Sequence, residues 1–282
     1  MRASVTLCTK NGGPRLRHCL DAIAALNAPP DTELRLVDNG STDGETYQLL
    51  QDFATRSRWY CSVLQTFTPG NGAGRNLALS QSRADVHLFF DDDCYPDPDF
   101  VTDWLKVFAQ HDIGFASGMI PPYDPRYSDM GCTEQPTQEL VWGGQFVRRG
   151  LIQGSNMAFA HKCLEATGFF DERFGAGTRF AGEEWELALR ASAAGWAGGY
   201  FPQPRVAHDH RRTEAEGLER MLFYDYGAGA VYAKHSLRLG GKVMRDYLRE
   251  LNALRRHPAR RSALLKGYKD FTAQKLRSSR AG

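Results

Sequence analysis

The residues of this chain best suited to chemistry lie in Leu88-Phe89-Phe90-Asp91-Asp92-Asp93, an apolar run that ends in three carboxylates. Val86 to Phe90 reads as a buried strand with the acids at its carboxyl end, the edge at which open α/β sheets bind ligands. Alternation along a strand puts Asp91 and Asp93 on one face and turns Asp92 away. Two convergent carboxylates suit a hard divalent cation that keeps open positions for substrate phosphates. Three adjacent like charges repel one another and need a cation or solvent to offset them. A solvated acidic loop therefore accounts for them as well as a metal site does.

Three further sets carry chemical potential. Arg75 follows the glycine-rich Pro69-Gly70-Asn71-Gly72-Ala73-Gly74 and opens a helix, where unpaired N–H groups and the dipole favour an anion; a surface arginine near a helix start is the plainer reading. Val206-Ala207-His208-Asp209-His210-Arg211-Arg212 runs from strand-like sequence into a basic turn whose arginines are able to clasp phosphate. Trp142 and Trp185 are candidates to stack on sugar rings, although packing is the usual role of tryptophan.

Such residues must be positioned by a regular scaffold, and the first half of the chain has the pattern for one. Strand-like Ser4 to Cys8, Leu34 to Val37, Tyr60 to Gln65 and Val86 to Phe90 alternate with helical Arg15 to Leu26, Thr46 to Ala54 and Arg75 to Arg83. That rhythm is the signature of β/α units around a mainly parallel sheet. A helix opened by Pro96 and Pro98 runs to about Gln110, and strand returns over Ile113 to Ile120. Residues 121–150, crowded with Pro, Gly, Tyr and Trp, read as a long functional loop or small subdomain. Order resumes at Leu151 to Ala160, with a helix over Glu183 to Ala194 and a strand over Gly199 to His208.

Composition is ordinary for a globular protein, with 42% hydrophobic and 24% charged residues. No apolar run approaches the ~18 residues that span a bilayer, and strand-like sequence begins at once, so the expectation is a cytoplasmic protein without a signal peptide. The six cysteines show no paired or metal-type spacing, which favours reduced thiols. Charge is segregated: residues 234–282 hold 14 Lys/Arg against 3 Asp/Glu, a net +11, while residues 1–233 are net −9. The contrast divides the chain into a body, 1–233, and a basic helical extension, 234–282. Lys242 to Arg256 has Val243, Tyr247, Leu251 and Leu254 at helical spacing among arginines, as in a helix lying on an anionic membrane; docking on the body is the alternative. No nucleic-acid recognition motif accompanies the basic segment, so no nucleic-acid partner is expected.

Four segments, in order and spacing, resemble the inverting family 2 glycosyltransferases of GT-A fold. They are Ser4-Val5-Thr6-Leu7-Cys8-Thr9-Lys10-Asn11; Leu36-Val37-Asp38-Asn39-Gly40-Ser41-Thr42-Asp43-Gly44; Gly74-Arg75-Asn76-Leu77-Ala78-Leu79 through Asp91-Asp92-Asp93 to Pro96-Asp97-Pro98-Asp99-Phe100; and an acceptor-side set. That last set comprises Gly154-Ser155-Asn156-Met157-Ala158-Phe159, Gly168-Phe169-Phe170-Asp171-Glu172-Arg173-Phe174 and Gly182-Glu183-Glu184-Trp185-Glu186-Leu187. The resemblance covers about residues 3–210 and implies a Rossmann-like, mainly parallel mixed sheet flanked by helices. It implies a nucleotide-sugar half over about 1–120 and an acceptor half over about 121–233.

By this resemblance the reaction moves a sugar from a nucleoside diphosphate sugar, a UDP-sugar first, to a hydroxyl acceptor that is a candidate for lipid linkage in surface glycan synthesis. Thr9, Asp38, Arg75, Asp91 and Asp92 would contact the donor nucleotide. Asp93, Asp91 and His208 would hold Mn²⁺ or Mg²⁺, with Asp93 as the direct ligand. Asn156, Trp142 and Trp185 are candidates on the sugar and acceptor side. The family's general base lies in a Glu-Asp pair at a helix start; here Glu183-Glu184 stands in its place, with Glu184 ranked ahead of Glu183. Acids in a first turn also simply complement the helix dipole. Two rival functions stay open: a catalytically silent nucleotide- or carbohydrate-binding module, and a sugar-nucleotide nucleotidyltransferase, for which Lys10-Asn11-Gly12-Gly13 is a poor phosphate loop.

Overall fold

The computed structural model describes residues 1–127 and 129–281. Its first half runs β1 (Ala3–Thr9), α1 (Gly13–Ala24), β2 (Glu33–Asp38), α2 (Thr46–Arg56), β3 (Tyr60–Gln65), α3 (Asn71–Ser80) and β4 (Val86–Asp91). The short β5 (Cys94–Pro96), α4 (Phe100–Gln110), β6 (Phe115–Met119) and β7 (Glu139–Val141) follow. Then come β8 (Met157–Ala160), α5 (His161–Thr167), α6 (Glu183–Ala193) and β9 (Gly198–His208). Three helices close the chain: α7 (Glu214–His235), α8 (Lys242–Ala253) and α9 (Pro258–Ala281).

The strands form one sheet in the order β3-β2-β1-β4-β8-β6-β9-β5, with β7 added beside β9. The first four are mutually parallel, and β8 enters antiparallel to both β4 and β6. Every residue of β1 and β2 is buried, as expected where helices cover both faces of a parallel sheet. Alternate residues of β4 feed two cores: Val86, Leu88 and Phe90 join one with α1 and α4, and Phe89 joins the other with α6 and the closing helices. The sheet is thus the mixed, mainly parallel one expected.

Two expectations about local structure change. The glycine-rich segment is not a loop ahead of a helix. It forms the first turn of α3, which places Arg75 in the second turn. The strand also ends at Asp91, and Asp92 and Asp93 sit in the turn before β5, so strand alternation does not govern where the three acids point.

The charge change at residue 233 falls inside α7. Val243, Tyr247, Leu254, Leu264 and Phe271 of the basic segment are buried in the same core as Phe89 and Trp185. The apolar side of that segment therefore packs against the protein. Its helix α9 meets α7 backbone to backbone: a Cβ on Gly229 would lie 2.1 Å from the Leu264 carbonyl oxygen, and one on Gly267 would lie 1.8 Å from that of Tyr226. All six cysteines are unpaired thiols. Among the described residues no helix is long and apolar enough to cross a membrane.

A buried histidine makes the fold acid-sensitive. His87 on β4 is fully buried against His161, ring nitrogens 3.0 Å apart. Burial, then the charges of His161 and Arg35, pull it down to about 3. A folded-state value below the unfolded ~6.5 means stability present above pH 6.5 and lost as pH falls toward 3. At pH 5 the loss should be about 2 kcal/mol. Urea denaturation of wild type and His87→Gln at pH 7.5 and 5.0 checks this: the variant should lose distinctly less stability over that interval, and equal losses would refute the assignment.

Candidate active site

The carboxyl ends of the parallel strands bring the donor-side residues into line. Thr9, Asp38 and Gln65 are in register across β1, β2 and β3, and Asp91 lies opposite Cys8. Asp38 is buried; it accepts from the Ser41 backbone N–H at 2.8 Å and from Gln65 Nε2 at 2.9 Å. Its carboxylate thus caps the turn after β2 while standing at the sheet edge. Thr9 Oγ1 donates to Asp92 Oδ2 at 2.5 Å. Burial raises the Asp92 carboxyl to about 6 in spite of that bond.

Arg75 joins the two halves of the site. It is 2% exposed, and its guanidinium donates to Glu183 Oε1 at 2.7 Å and to Asp91 Oδ1 at 3.2 Å. The Gly154 carbonyl and the faces of Phe89 and Phe170 complete its surroundings. Asp91 is pushed up by burial, which the Arg75 charge counteracts. Both faces of Arg75 are committed to carboxylates, so it positions these two acids, and the anion it was expected to meet is supplied by the protein itself.

Asp93 faces a different partner. His208 Nε2 lies 3.5 Å from Asp93 Oδ1, and Arg15 Nη1 lies 3.4 Å from Oδ2. Burial would raise Asp93, but the His208 hydrogen bond and the charges of His208, Arg15 and Arg212 outweigh it and hold the carboxyl below its usual range. Burial would likewise depress His208, yet its bonds to Asp93 and Cys132 lift it to about 9. Among the described residues Asp93, Cys94 and His208 present ligand atoms within 4.8 Å of one another. The Cys94 thiol is driven well up by burial, which keeps its proton on and removes it from the set. Asp93 and neutral His208 would be the donor pair for a divalent cation, whose binding has to displace the proton that the pairing with Asp93 holds on the imidazole. Asp91, expected beside Asp93 on one strand face, is held by Arg75 outside this group.

A cavity of about 330 Å³ opens between these halves, lined among others by Asp91, His208, Glu183, Glu184 and Arg212. Glu183 is committed to Arg75, whereas half-buried Glu184 borders the cavity. Burial and then the charge of Glu183 drive Glu184 well above the usual carboxylate range. Glu186, two residues on, points into the core. Arg190, Lys234 and His235 all bond it.

The three candidates for sugar contact are placed differently. Asn156 is fully buried, and its amide donates to the Met119 and Pro204 carbonyls at 2.9 and 3.0 Å, clamping the irregularity where β6 meets β9. Trp185 lines the cavity, is 2% exposed and spends its indole N–H on the Val147 carbonyl. Trp142 is exposed, two residues before Gly144, whose N–H bonds the Ser192 carbonyl eight helical residues, about 12 Å, along α6 from Glu184. Arg211, a candidate phosphate clasp, is taken up by Asp209 at 3.0 Å.

Sequence reasoning missed α7, which supplies Arg220, Met221, Phe223, Tyr224 and Ala228 to the cavity. Thr213 and Glu216 form a capping box at its start, and the Thr-x-x-Glu spacing was the available signal. Arg149 and Arg260 of the same wall carry no local signature.

Residues 4–165 match the sequence model described as Glycosyl transferase family 2. The poly(ribitol-phosphate) beta-N-acetylglucosaminyltransferase TarS of Staphylococcus aureus is 30% identical over 112 residues, 39% of this chain and 19% of that protein. Glycosyltransferase AglE of Haloferax volcanii is 25% identical over 118 residues, 42% of this chain and 38% of its own length. The chain thus spans about a fifth of the length of TarS and under two-fifths of AglE. Among solved structures, S. aureus TarS 1-349 in complex with UDP-GlcNAc aligns over 84% of this chain and 67% of its own, with TM-score 0.66 and 18% identity. Mannosyltransferase PcManGT from Pyrobaculum calidifontis, in complex with GDP-Man and Mn²⁺, aligns over 99% of this chain and 79% of its own, with TM-score 0.68 and 20% identity. These likenesses give the fold as GT-A.

Proposed function

Because this chain belongs to glycosyl transferase family 2, we propose that it moves a sugar, with inversion, from a nucleoside diphosphate sugar to an acceptor hydroxyl. The observation that carries the reading is that Asp91, His208, Glu183 and Glu184 border one cavity at the carboxyl edge of the sheet. A UDP-sugar is the donor to try first, since a neighbour of this fold holds UDP-GlcNAc. Thr9 and Asp38, in register at the strand ends, stand on the nucleotide side. Asp93 and His208 would hold a divalent cation, which when bound supplies positive charge against the leaving diphosphate. Arg75 fixes Asp91 and Glu183 in place. Glu184 takes the proton of the attacking hydroxyl, a task suited to a carboxylate whose proton affinity burial and the charge of Glu183 have raised.

The deciding measurement is thermal shift and donor hydrolysis against a panel of nucleoside diphosphate sugars, with Mn²⁺, with Mg²⁺ and with chelator. One donor should stabilise the protein in a metal-dependent way, and Asp93→Ala should abolish the response. Indifference to every donor under all three conditions would sink the reading.

Surface glycan or glycoconjugate synthesis is the setting that fits, with a lipid-linked acceptor at a membrane. Exposed Lys242, Arg245, Arg249, Arg255 and Arg256 support peripheral contact with an anionic leaflet through charge. Vesicles containing anionic lipid should co-sediment the protein at low salt and release it at high salt; protein left in the supernatant at low salt would end this part of the reading.

A further inference from the structure

One wall of the cavity carries positive charge that proton removal by Glu184 does not use. Arg149, Arg220 and Arg260 line it. Fully buried Asp225 binds two of them, Arg149 Nη1 at 2.8 Å and Arg260 Nε at 2.7 Å, and Arg149 also reaches Glu250 at 2.5 Å. These contacts hold both guanidiniums in place, and the two carboxylates balance their charge, so the wall's uncompensated charge is that of Arg220. Arg220 differs. It lies over the rings of Phe223 and Tyr224, 5.0 Å from each centroid, three and four residues along α7. Its Nε is buried in that wall without a hydrogen-bond partner, and among the described residues it forms no ion pair. A cavity-lining guanidinium with an unpartnered donor and no ion-pair partner among the described residues has hydrogen-bonding capacity left for a ligand. Arg212 sits apart, on the side where its charge acts on Asp93.

We infer that the acceptor is a phosphate-bearing alcohol, its phosphate seated against Arg220 beside Arg149 and Arg260 and its hydroxyl turned to Glu184. The inference rests on the glycosyltransferase reading and adds the acceptor's chemical class to it. Planar guanidiniums pair with phosphate oxygens through two parallel hydrogen bonds. Three guanidiniums offer more donors than the two oxygens of a carboxylate accept, which favours a phosphate ester. The rings of Phe223 and Tyr224 leave an apolar surface for the carbon skeleton. In the reaction the acceptor oxygen bonds to the anomeric carbon, the bond from that carbon to the diphosphate oxygen breaks, and the electron pair leaves with the nucleoside diphosphate. The hydroxyl proton passes to Glu184.

A water-soluble polyol phosphate and a phospholipid headgroup share this chemistry, so the test has two arms. A nucleoside diphosphate with Mn²⁺, UDP first and GDP next, is required to raise the melting temperature; failure of all of them at that step removes the transferase reading itself, and the one that succeeds takes the place of UDP below. With UDP and Mn²⁺ saturating, glycerol 3-phosphate and monomeric dihexanoyl phosphatidylglycerol are titrated by calorimetry, with glycerol as the uncharged control. At least one phosphate probe should bind, glycerol should not, and Arg220→Gln should weaken binding 10-fold or more while Arg220→Lys retains part of it. The UDP shift should be unchanged in both variants, which shows that they are folded. Binding of the lipid alone assigns the headgroup as the source, and binding of glycerol 3-phosphate assigns the soluble ester. Glycerol binding as well as its phosphate, Arg220→Gln binding like wild type, or neither probe binding would overturn the inference.

Discussion

Arg75→Met should lower stability by about 3–5 kcal/mol and abolish transfer. The side chain is buried, its two partners are carboxylates of different segments, and removing it strands both. Asp91, already pushed up by burial, would take a proton, and Glu183 would lose its only ion-pair partner among the described residues. Chemical denaturation should therefore show a lower midpoint in the variant. A double variant, Arg75→Met with Glu183→Leu, separates structure from function: with one stranded charge gone it should regain part of the stability and none of the activity. Equal stability of wild type and Arg75→Met would show that the Arg75 bridge to Asp91 and Glu183 contributes little. An active Arg75→Met would show that transfer does not require it.

Glu184→Gln should cut kcat by about 10²- to 10⁴-fold, the span expected for loss of a general base. The donor should bind as before, because Arg75, Asp91 and Asp93 are untouched. The wild-type rate should rise with pH as Glu184 loses a proton held by burial and by the charge of Glu183, and this limb should vanish in the variant. Glu183→Gln should behave differently, losing stability through Arg75 and lowering activity without flattening the pH profile. If the two variants exchanged these behaviours, the base would be Glu183.

The order of β1 to β4 and their helices was legible because β1, β2 and β4 are apolar runs buried on both faces and each helix is buried on one, the two patterns that periodicity reports; β3 is only half-buried at the sheet edge. The acids were found for the same reason, since an apolar run that stops at charge marks a strand end. Their partners were not legible. Whether Asp91 faces a cation or an arginine depends on Arg75, sixteen residues earlier, and on where the strand hands over to a turn. Likewise Glu183 and Glu184 are equivalent in sequence and differ only once Arg75 has claimed one of them. Asn156 and Trp185 drew a functional reading because polar and aromatic side chains suit sugars, yet both satisfy backbone groups inside the protein. Helix α7 escaped because it is sandwiched between the body and α9, so its apolar residues do not keep to one stripe. The basic segment looked like an appendage because its charges are local and its packing partners are not.

The glycine-mediated seating of α9 on α7 also sets an order of events during synthesis. Strands β1 to β4 are close in sequence and able to pair as soon as they emerge, so the nucleotide edge of the sheet forms early. The wall bearing Arg220 and Tyr224 is different: α7 reaches its position only against the backbone of α9, made some thirty residues later. A joint of backbone atoms has no rotamers with which to settle for a looser fit. A growing chain thus has β1 to β4 complete before the helix that seats α7 has been made.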